Sequence, residues 1–252
     1  MRWRKGMRAR LLSLFDHGLL VLLLVASLLL TGRAWLHDHP EDDPWAPLSL
    51  RDPPGWATGR KLAAVRADLP TCRAFLERSD IPAEPLPAVG SGICRRSDRE
   101  RVASLAAADV ALRPRNPQAT CAVDAGLAYW LRHGVQPAAR LFLHSPVVRI
   151  EQLGTYNCRR IGGGKTGTWS QHSTGNAIDI SAFVTADGQR VTVLGDWKAK
   201  ASQPERSAFL HAVRDAACMP FSTVLSPDYN AAHANHLHLD QARRTGGWKA
   251  CH

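Results

Sequence analysis

From Ser170 the chain reads Ser-Gln-His172-Ser-Thr-Gly175-Asn-Ala-Ile-Asp179, and from His233 it reads His-Ala-Asn-His236-Leu-His238-Leu-Asp240. Imidazoles and carboxylates at these spacings are metal-ligand chemistry. Two imidazoles and one carboxylate, brought together by folding, would leave one coordination position free. A free position on Zn²⁺ separates catalytic sites from closed structural ones. Two nitrogens and an oxygen suit zinc among the divalent ions. The chemistry that follows is metal-assisted hydrolysis, in which the ion lowers the pKa of a bound water toward ~7 and polarises the scissile carbonyl. A histidine of ordinary pKa, near ~6.5, can take that proton and hand it to a leaving amine.

These side chains need elements that aim them. Gly175 gives the chain a place to turn after His172. From Asn176 onward the residues alternate as a strand does, with Ala177, Asp179 and Ser181 on one face and Ile178 and Ile180 on the other. His236, His238 and Asp240 likewise share a face opposite Leu237 and Leu239. Strands lying side by side would bring Asp179 to the histidine pair, with His172 reaching in from the turn. Periodicity alone leaves that pairing open. Elsewhere, 62–76, 118–133 and 204–218 have helical spacing of apolar residues. Gly134 stops the second of these, and Phe209, Leu210 and Val213 form the stripe of the third. Residues 147–153 and 191–194 read as strands. The expectation is an α+β domain: a small antiparallel sheet carrying the metal site, flanked by helices and preceded by one N-terminal transmembrane helix.

Several motifs in order also carry a resemblance. The pattern His-x6-Asp followed by His-x-His is similar to the zinc peptidases of bacterial cell walls: D-alanyl-D-alanine carboxypeptidases, the lysostaphin type and penicillin-insensitive murein endopeptidases. More closely, Tyr156-Asn-Cys158-Arg159, Gln171-His172-Ser-Thr-Gly-Asn176-Ala-Ile-Asp179-Ile, Asp196-Trp197 and Val224-Leu-Ser-Pro227-Asp-Tyr229-Asn-Ala-Ala-His233 resemble the extensin-like protein C-terminal domain. The likeness covers about residues 60 to 252. No Ser-Pro-Pro-Pro repeats occur, so the family name implies no fibrous structure here.

The resemblance implies that His172, Asp179 and His238 are zinc ligands and that His236 is the acid/base group. The carboxypeptidase branch places a glutamate three residues before its last ligand, where this chain has Asn235. An amide cannot take a proton from water at neutral pH. That leaves His233 and His236, an arrangement similar to the endopeptidase branch. Arg159 or Arg160 is the candidate cation for an oxyanion, and Asp240, Ser170 and Asp228 are of suitable type to orient ligand imidazoles. The implied activity is hydrolysis of a D-amino-acid-containing peptidoglycan peptide. Asn235 keeps an alternative open, a non-catalytic wall-binding module of the same fold.

The amino terminus bears on location. Arg2, Arg4, Lys5, Arg8 and Arg10 precede the mostly apolar stretch 11–36, so residues 1–10 read as a cytoplasmic tail and 11–36 as a retained anchor. A poor small-x-small match after the run argues against a cleaved signal peptide. Residues 37–70, with five prolines between Pro40 and Pro54, read as an extended spacer, and 71–252 as the zinc-peptidase-like domain. This places the chain in a bacterial inner membrane, single-pass, with its C-terminal domain in the periplasm. All six cysteines lie beyond the apolar stretch without a C-x-x-C pair, as expected of three disulfides in an oxidising compartment. Among 15 pairings, locality favours Cys72–Cys94.

Charge and the remaining motifs complete the reading. The first ten residues hold five basic and no acidic side chains, so +5 of the net +10 remains on the rest. That balance suits an anionic wall or membrane surface, and no nucleic-acid motif is present. Gly162-Gly-Gly-Lys165-Thr166 lacks the earlier glycine of a phosphate-binding loop, because position 159 is arginine. It reads as a flexible loop beside the cleft. His17, His133, His144, His211 and His252 read as ordinary side chains, and His37 and His39 as parts of a solvated linker.

Overall fold

The computed structural model describes the backbone of residues 3–81, 83–102 and 110–252, with side chains from residue 17 onward. Helix α1 spans Trp3–Asp38. Its stretch His17–Asp38 has a mean hydropathy of 2.2, and none of its apolar window is buried against the described residues. At ~1.5 Å per residue it is long enough, and it is apolar enough, to cross a membrane.

The proline-bearing stretch after it is more ordered than an extended spacer. Leu48 and Leu50 are buried in the core, Asp42 Oδ1 accepts from the Trp56 amide at 2.8 Å, and Lys61 Nζ donates to the Pro40 carbonyl. Helices α2 (Thr58–Ala67) and α3 (Leu69–Arg78) follow. Asp68 breaks what sequence spacing joins into one helix. Its backbone is extended, and its carboxylate caps α3 by accepting from the Thr71 amide at 2.9 Å.

Strands β1 (Ala83–Pro85) and β2 (Glu100–Val102) pair as a small antiparallel sheet. After β3 (Ala111–Arg113), helix α4 (Cys121–Trp130) does not stop at Gly134. It continues through wide π turns at Leu131–Val135 and Ala139–Leu143 around the short α5 (Gln136–Ala138). Pro137 lies inside this run and has no amide proton to give, which fits the widened turns. Gly134 serves close packing: a Cβ there would lie 2.7 Å from the Ala216 Cβ. Ala216 belongs to α7 (Pro204–Ala217), reached after β4 (Val147–Gly154), β5 (Ala177–Thr185), β6 (Arg190–Thr192) and the single turn α6 (Val193–Asp196). Strands β7 (Thr223–Leu225), β8 (Leu237–Asp240) and β9 (Ala250–Cys251) complete the chain.

The main sheet is larger and more mixed than the small antiparallel sheet expected. Seven strands run β3-β4-β5-β8-β7-β9, with β6 beside the second half of β5. The β3–β4 and β7–β9 pairs are parallel and the others antiparallel. Strands of two or three residues are too short to show a period of two, so β3, β7 and β9 left no trace in the alternation.

Helices cover one face. Ile178, Ile180, Leu237 and Leu239 are fully buried there with Trp130, Phe183 and Phe209. The Trp130 indole stands edge-on to Phe183 and donates to the Val213 carbonyl at 2.8 Å. Burial of such side chains contributes about 1.5–3 kcal/mol each. All six cysteines are paired, as Cys72–Cys121, Cys94–Cys158 and Cys218–Cys251. The local Cys72–Cys94 pairing is therefore incorrect. Cys72 is buried on the core side of α3 and meets the first residue of α4, so tertiary packing overrides proximity in sequence.

Candidate metal centre

The pairing left open by periodicity is present. Strands β5 and β8 lie antiparallel with Asp179 opposite His238 and Ala177 opposite Asp240. Because Ile178, Leu237 and Leu239 must face the helices, the intervening polar residues emerge together on the other face.

His172 arrives from a short 3₁₀ turn, Gln171–Thr174, whose first amides are capped when Ser170 Oγ accepts from the His172 N–H at 3.3 Å. Gly175 ends that turn with φ +75°. A Cβ at this position would lie 3.1 Å from Arg96 Nε and 3.3 Å from the Gln118 carbonyl, so glycine meets both a steric and a conformational demand.

Three ligand atoms converge. His172 Nε2 lies 3.2 Å from Asp179 Oδ1 and 3.1 Å from His238 Nδ1, and His238 Nδ1 lies 3.0 Å from Asp179 Oδ1. Among the described residues this is the one group of three or more His, Cys, Asp or Glu side chains close enough to hold an ion. A tetrahedral ion with bonds of about 2.0–2.1 Å needs ligand atoms about 3.3 Å apart. The triangle meets that size.

The outer nitrogens are also engaged. His172 Nδ1 faces the Thr155 carbonyl at 3.2 Å, and His238 Nε2 faces Asp240 Oδ2 at 3.1 Å. Both acceptors require N–H on the outer nitrogen, which assigns lone pairs to the inner ones. With both imidazoles neutral, three lone-pair atoms point at one another, an arrangement that a cation at the centre would relieve. An outer carboxylate on a ligand histidine is the usual way to fix its tautomer and raise its basicity.

The electrostatics agree. Burial alone would raise the Asp179 carboxyl, but hydrogen bonds and charge from His172 and His238 outweigh it and hold the group well below the ordinary carboxylate range. Burial disfavours charge on His238, yet Asp179 and Asp240 together push it up to about 9. A positive charge is thus favoured at this point whether a proton or a metal supplies it.

His236 stands at the mouth. Its Nε2 is 3.5 Å from Asp179 Oδ1, and its Nδ1 donates to Asn235 Oδ1 at 2.8 Å. Asn235, which stands where the carboxypeptidase pattern has a base, here sets the tautomer of the histidine beside it. His233 is farther out, its ring 5.1 Å from that of His236 and 5.9 Å from that of His238, with Nδ1 bonded to Asn230 Oδ1 at 2.8 Å. Burial lowers both, helped by neighbouring histidines. His233 falls to about 4, while the nearby Asp179 charge opposes the fall at His236. His236 is the better placed proton acceptor near neutral pH.

The remaining candidates divide. Arg159 is close enough for its charge to lower both His233 and His236, and its carbonyl holds the ligand turn by accepting from Ser173 Oγ at 2.9 Å and the Ser170 amide at 3.1 Å. Arg160 instead stacks on the Trp169 ring at 4.3 Å. Asp240 reaches a ligand. Ser170 holds only backbone, and Asp228 accepts from Trp197 Nε1 at 2.8 Å and pairs with Arg214. Thr155 and Asn230 escaped sequence reading, and Asn235 was read there only as a missing base, not as the partner of His236. A carbonyl acceptor has no side-chain signature, and the two amides signalled only by their distance from a histidine.

No curated protein and no solved structure matched the chain. A family model described as extensin-like protein C-terminus matches residues 70–252, the stretch that holds all but the first residue of α3, every later element and the whole His172–Asp179–His238 triangle. The chain belongs to the extensin-like protein C-terminal family.

Proposed function

We propose that this chain is a zinc-dependent hydrolase of cell-wall peptides, anchored in the inner membrane with its domain in the periplasm and acting on a D-amino-acid-containing peptidoglycan stem or cross-link. The observation that carries the reading is the triangle of His172 Nε2, Asp179 Oδ1 and His238 Nδ1, closed to 3.0–3.2 Å, with both outer imidazole nitrogens already engaged. Zn²⁺ bound there supplies Lewis acidity toward a carbonyl and lowers the pKa of water. The chain's own residues do the rest. His236, kept neutral by burial and aimed by Asn235, takes a proton at Nε2 and returns it to the leaving amine. Arg159 provides the positive charge toward which an oxyanion or a stem carboxylate is drawn. Tyr156 and Tyr229, both half-exposed, give the rim apolar surface for an extended peptide.

Location rests on separate support. The basic tail favours the cytoplasmic side, and three disulfides suit an oxidising compartment. Full-length protein in detergent, incubated with purified murein and zinc, is expected to release muropeptides, and a chelator should stop the release. Retention on murein with no release under any metal condition would instead favour the binding-module reading.

A further inference from the structure

A second cleft, of about 260 Å³, lies between α2 and the connection from β8 to β9, lined by Arg66, Arg243, Arg244, Ser222 and Trp248 among others. Strand β8 leads from the metal centre toward it. Ala242, on its wall, is four residues beyond His238, or about 13 Å along an extended chain.

Three guanidinium groups share this cleft, and each is tied down by neutral partners. Arg66 Nε donates to Gln241 Oε1 at 2.6 Å and Arg66 Nη2 to the Pro220 carbonyl at 3.3 Å. Arg244 donates to the Ser222 carbonyl at 3.0 Å and to Thr223 Oγ1 at 2.6 Å. Arg243 donates to the Ala67 carbonyl at 3.0 Å. Among the described residues, none of the three forms an ion pair with a carboxylate, and neither does the adjoining Lys249, which donates to the Cys218 and Met219 carbonyls. Burial pushes Lys249 down to about 8, and the Arg66 charge adds to the fall. The Asp240 carboxylate offsets part of the charge on Arg66, but three guanidiniums and an ammonium still leave a net positive charge here, on side chains already ordered before any ligand arrives, which lowers the entropic cost of binding.

The walls are built for this. Gly246 and Gly247, at φ +75° and +69°, fold the chain back so that Trp248 lies against Arg244, whose guanidinium carbon is 4.6 Å from the ring centroid. The pairing of β9 with β7 and the Cys218–Cys251 bond hold the far end. A single carboxylate needs one guanidinium fork, whereas a phosphoryl group offers more oxygens and more charge, matching several. The volume exceeds that of a bare ion, and the half-exposed Trp248 ring offers a surface for the moiety that carries it.

We propose that this cleft is a binding site for a phosphate ester, with Arg66, Arg243 and Arg244 on the phosphoryl oxygens and Trp248 against the attached group. The ester comes from a phospholipid headgroup or from a soluble or wall-borne phosphate, and the test separates these.

Full-length protein in a non-ionic detergent at low ionic strength is titrated with inorganic phosphate, glycerol 3-phosphate and dioctanoyl phosphatidylglycerol, with and without a metal chelator. Saturable binding of glycerol 3-phosphate is expected below about 10 mM, unchanged by the chelator. The R243Q/R244Q pair should weaken it at least about tenfold. R243Q alone removes an exposed side chain that donates to the Ala67 carbonyl, so it gives a folded intermediate case with a smaller loss in the same direction. Lipid binding at least about tenfold tighter than the ester assigns the headgroup, and equal affinities assign the free or wall-borne phosphate. No saturation by any of the three probes, or equal affinities for wild type, R243Q and R243Q/R244Q, overturns the proposal. Because the readout ignores metal and turnover, it stands or falls apart from the hydrolase reading.

Discussion

At the scale of single residues, His238 illustrates how position and chemistry were separately encoded. Alternation along β8 placed it on the polar face, and the acid two residues on fixed which of its nitrogens looks inward. D240N should therefore weaken zinc binding by about 10–100-fold without unfolding the domain, measured by competition with a chromophoric chelator. H172A or D179A should abolish stoichiometric zinc in elemental analysis. H236A should retain the metal yet lose about 10²–10⁴-fold in muropeptide release. Unchanged release would remove His236 from the proton-transfer role. His133 offers a test of stability against pH. Burial, reinforced by Arg132, lowers it to about 4, and its Nε2 is buried without a hydrogen-bond partner among the described residues. Between about 6.5 and about 4 the unfolded chain binds a proton here that the folded chain does not. Stability from this group is thus full above about pH 6.5 and is lost as pH falls toward 4. Denaturant midpoints across that range should fall less steeply in H133Q. The convergence of His172, Asp179 and His238 was legible because three polar residues interrupt apolar strands and a turn. The Thr155 carbonyl was not, since any residue could supply it.

Among elements, strands β5 and β8 were readable because their core faces alternate strictly, whereas β3, β7 and β9 are held by neighbours and not by pattern. Gly134 misled for a physical reason. A glycine in a helical run signals an end or a close approach, and only the presence of α7 decides between them. Cysteine pairing was hidden in the same way, because Cys72 and Cys121 become neighbours only once α3 packs on α4. The Cys94–Cys158 bond closes a loop with a sequence separation of 64, which in the chain-entropy model contributes about 4 kcal/mol. C94S/C158S should therefore lower the thermal midpoint and weaken zinc binding together. Cys158 lies in the segment where the Asn157 amide meets the His172 carbonyl at 3.0 Å and the Arg159 carbonyl meets Ser170 and Ser173. A variant that loses stability yet keeps full zinc affinity would show that the bond does not brace the ligand turn.

For the molecule as a whole, helix and domain are separable. The apolar part of α1 is not buried against the described residues, so removing residues 1–38 should leave the zinc stoichiometry unchanged. The full chain is expected to resist extraction from membranes by alkaline carbonate. The apolar run was plain in sequence. The folding of the proline-bearing stretch onto α2 was not, because Leu48 and Leu50 sit among residues that favour extended backbone.

The Cys94–Cys158 bond has one more consequence, in time. In a reducing cytosol the strip around His172 lacks its clamp, and the nascent chain is a poor competitor for metal. Oxidation after export would tighten the strip, making thiol chemistry the step that licenses metallation. If the proposed hydrolase activity and export hold, a chain matured in that order would stay inert until it had left the compartment where it was made.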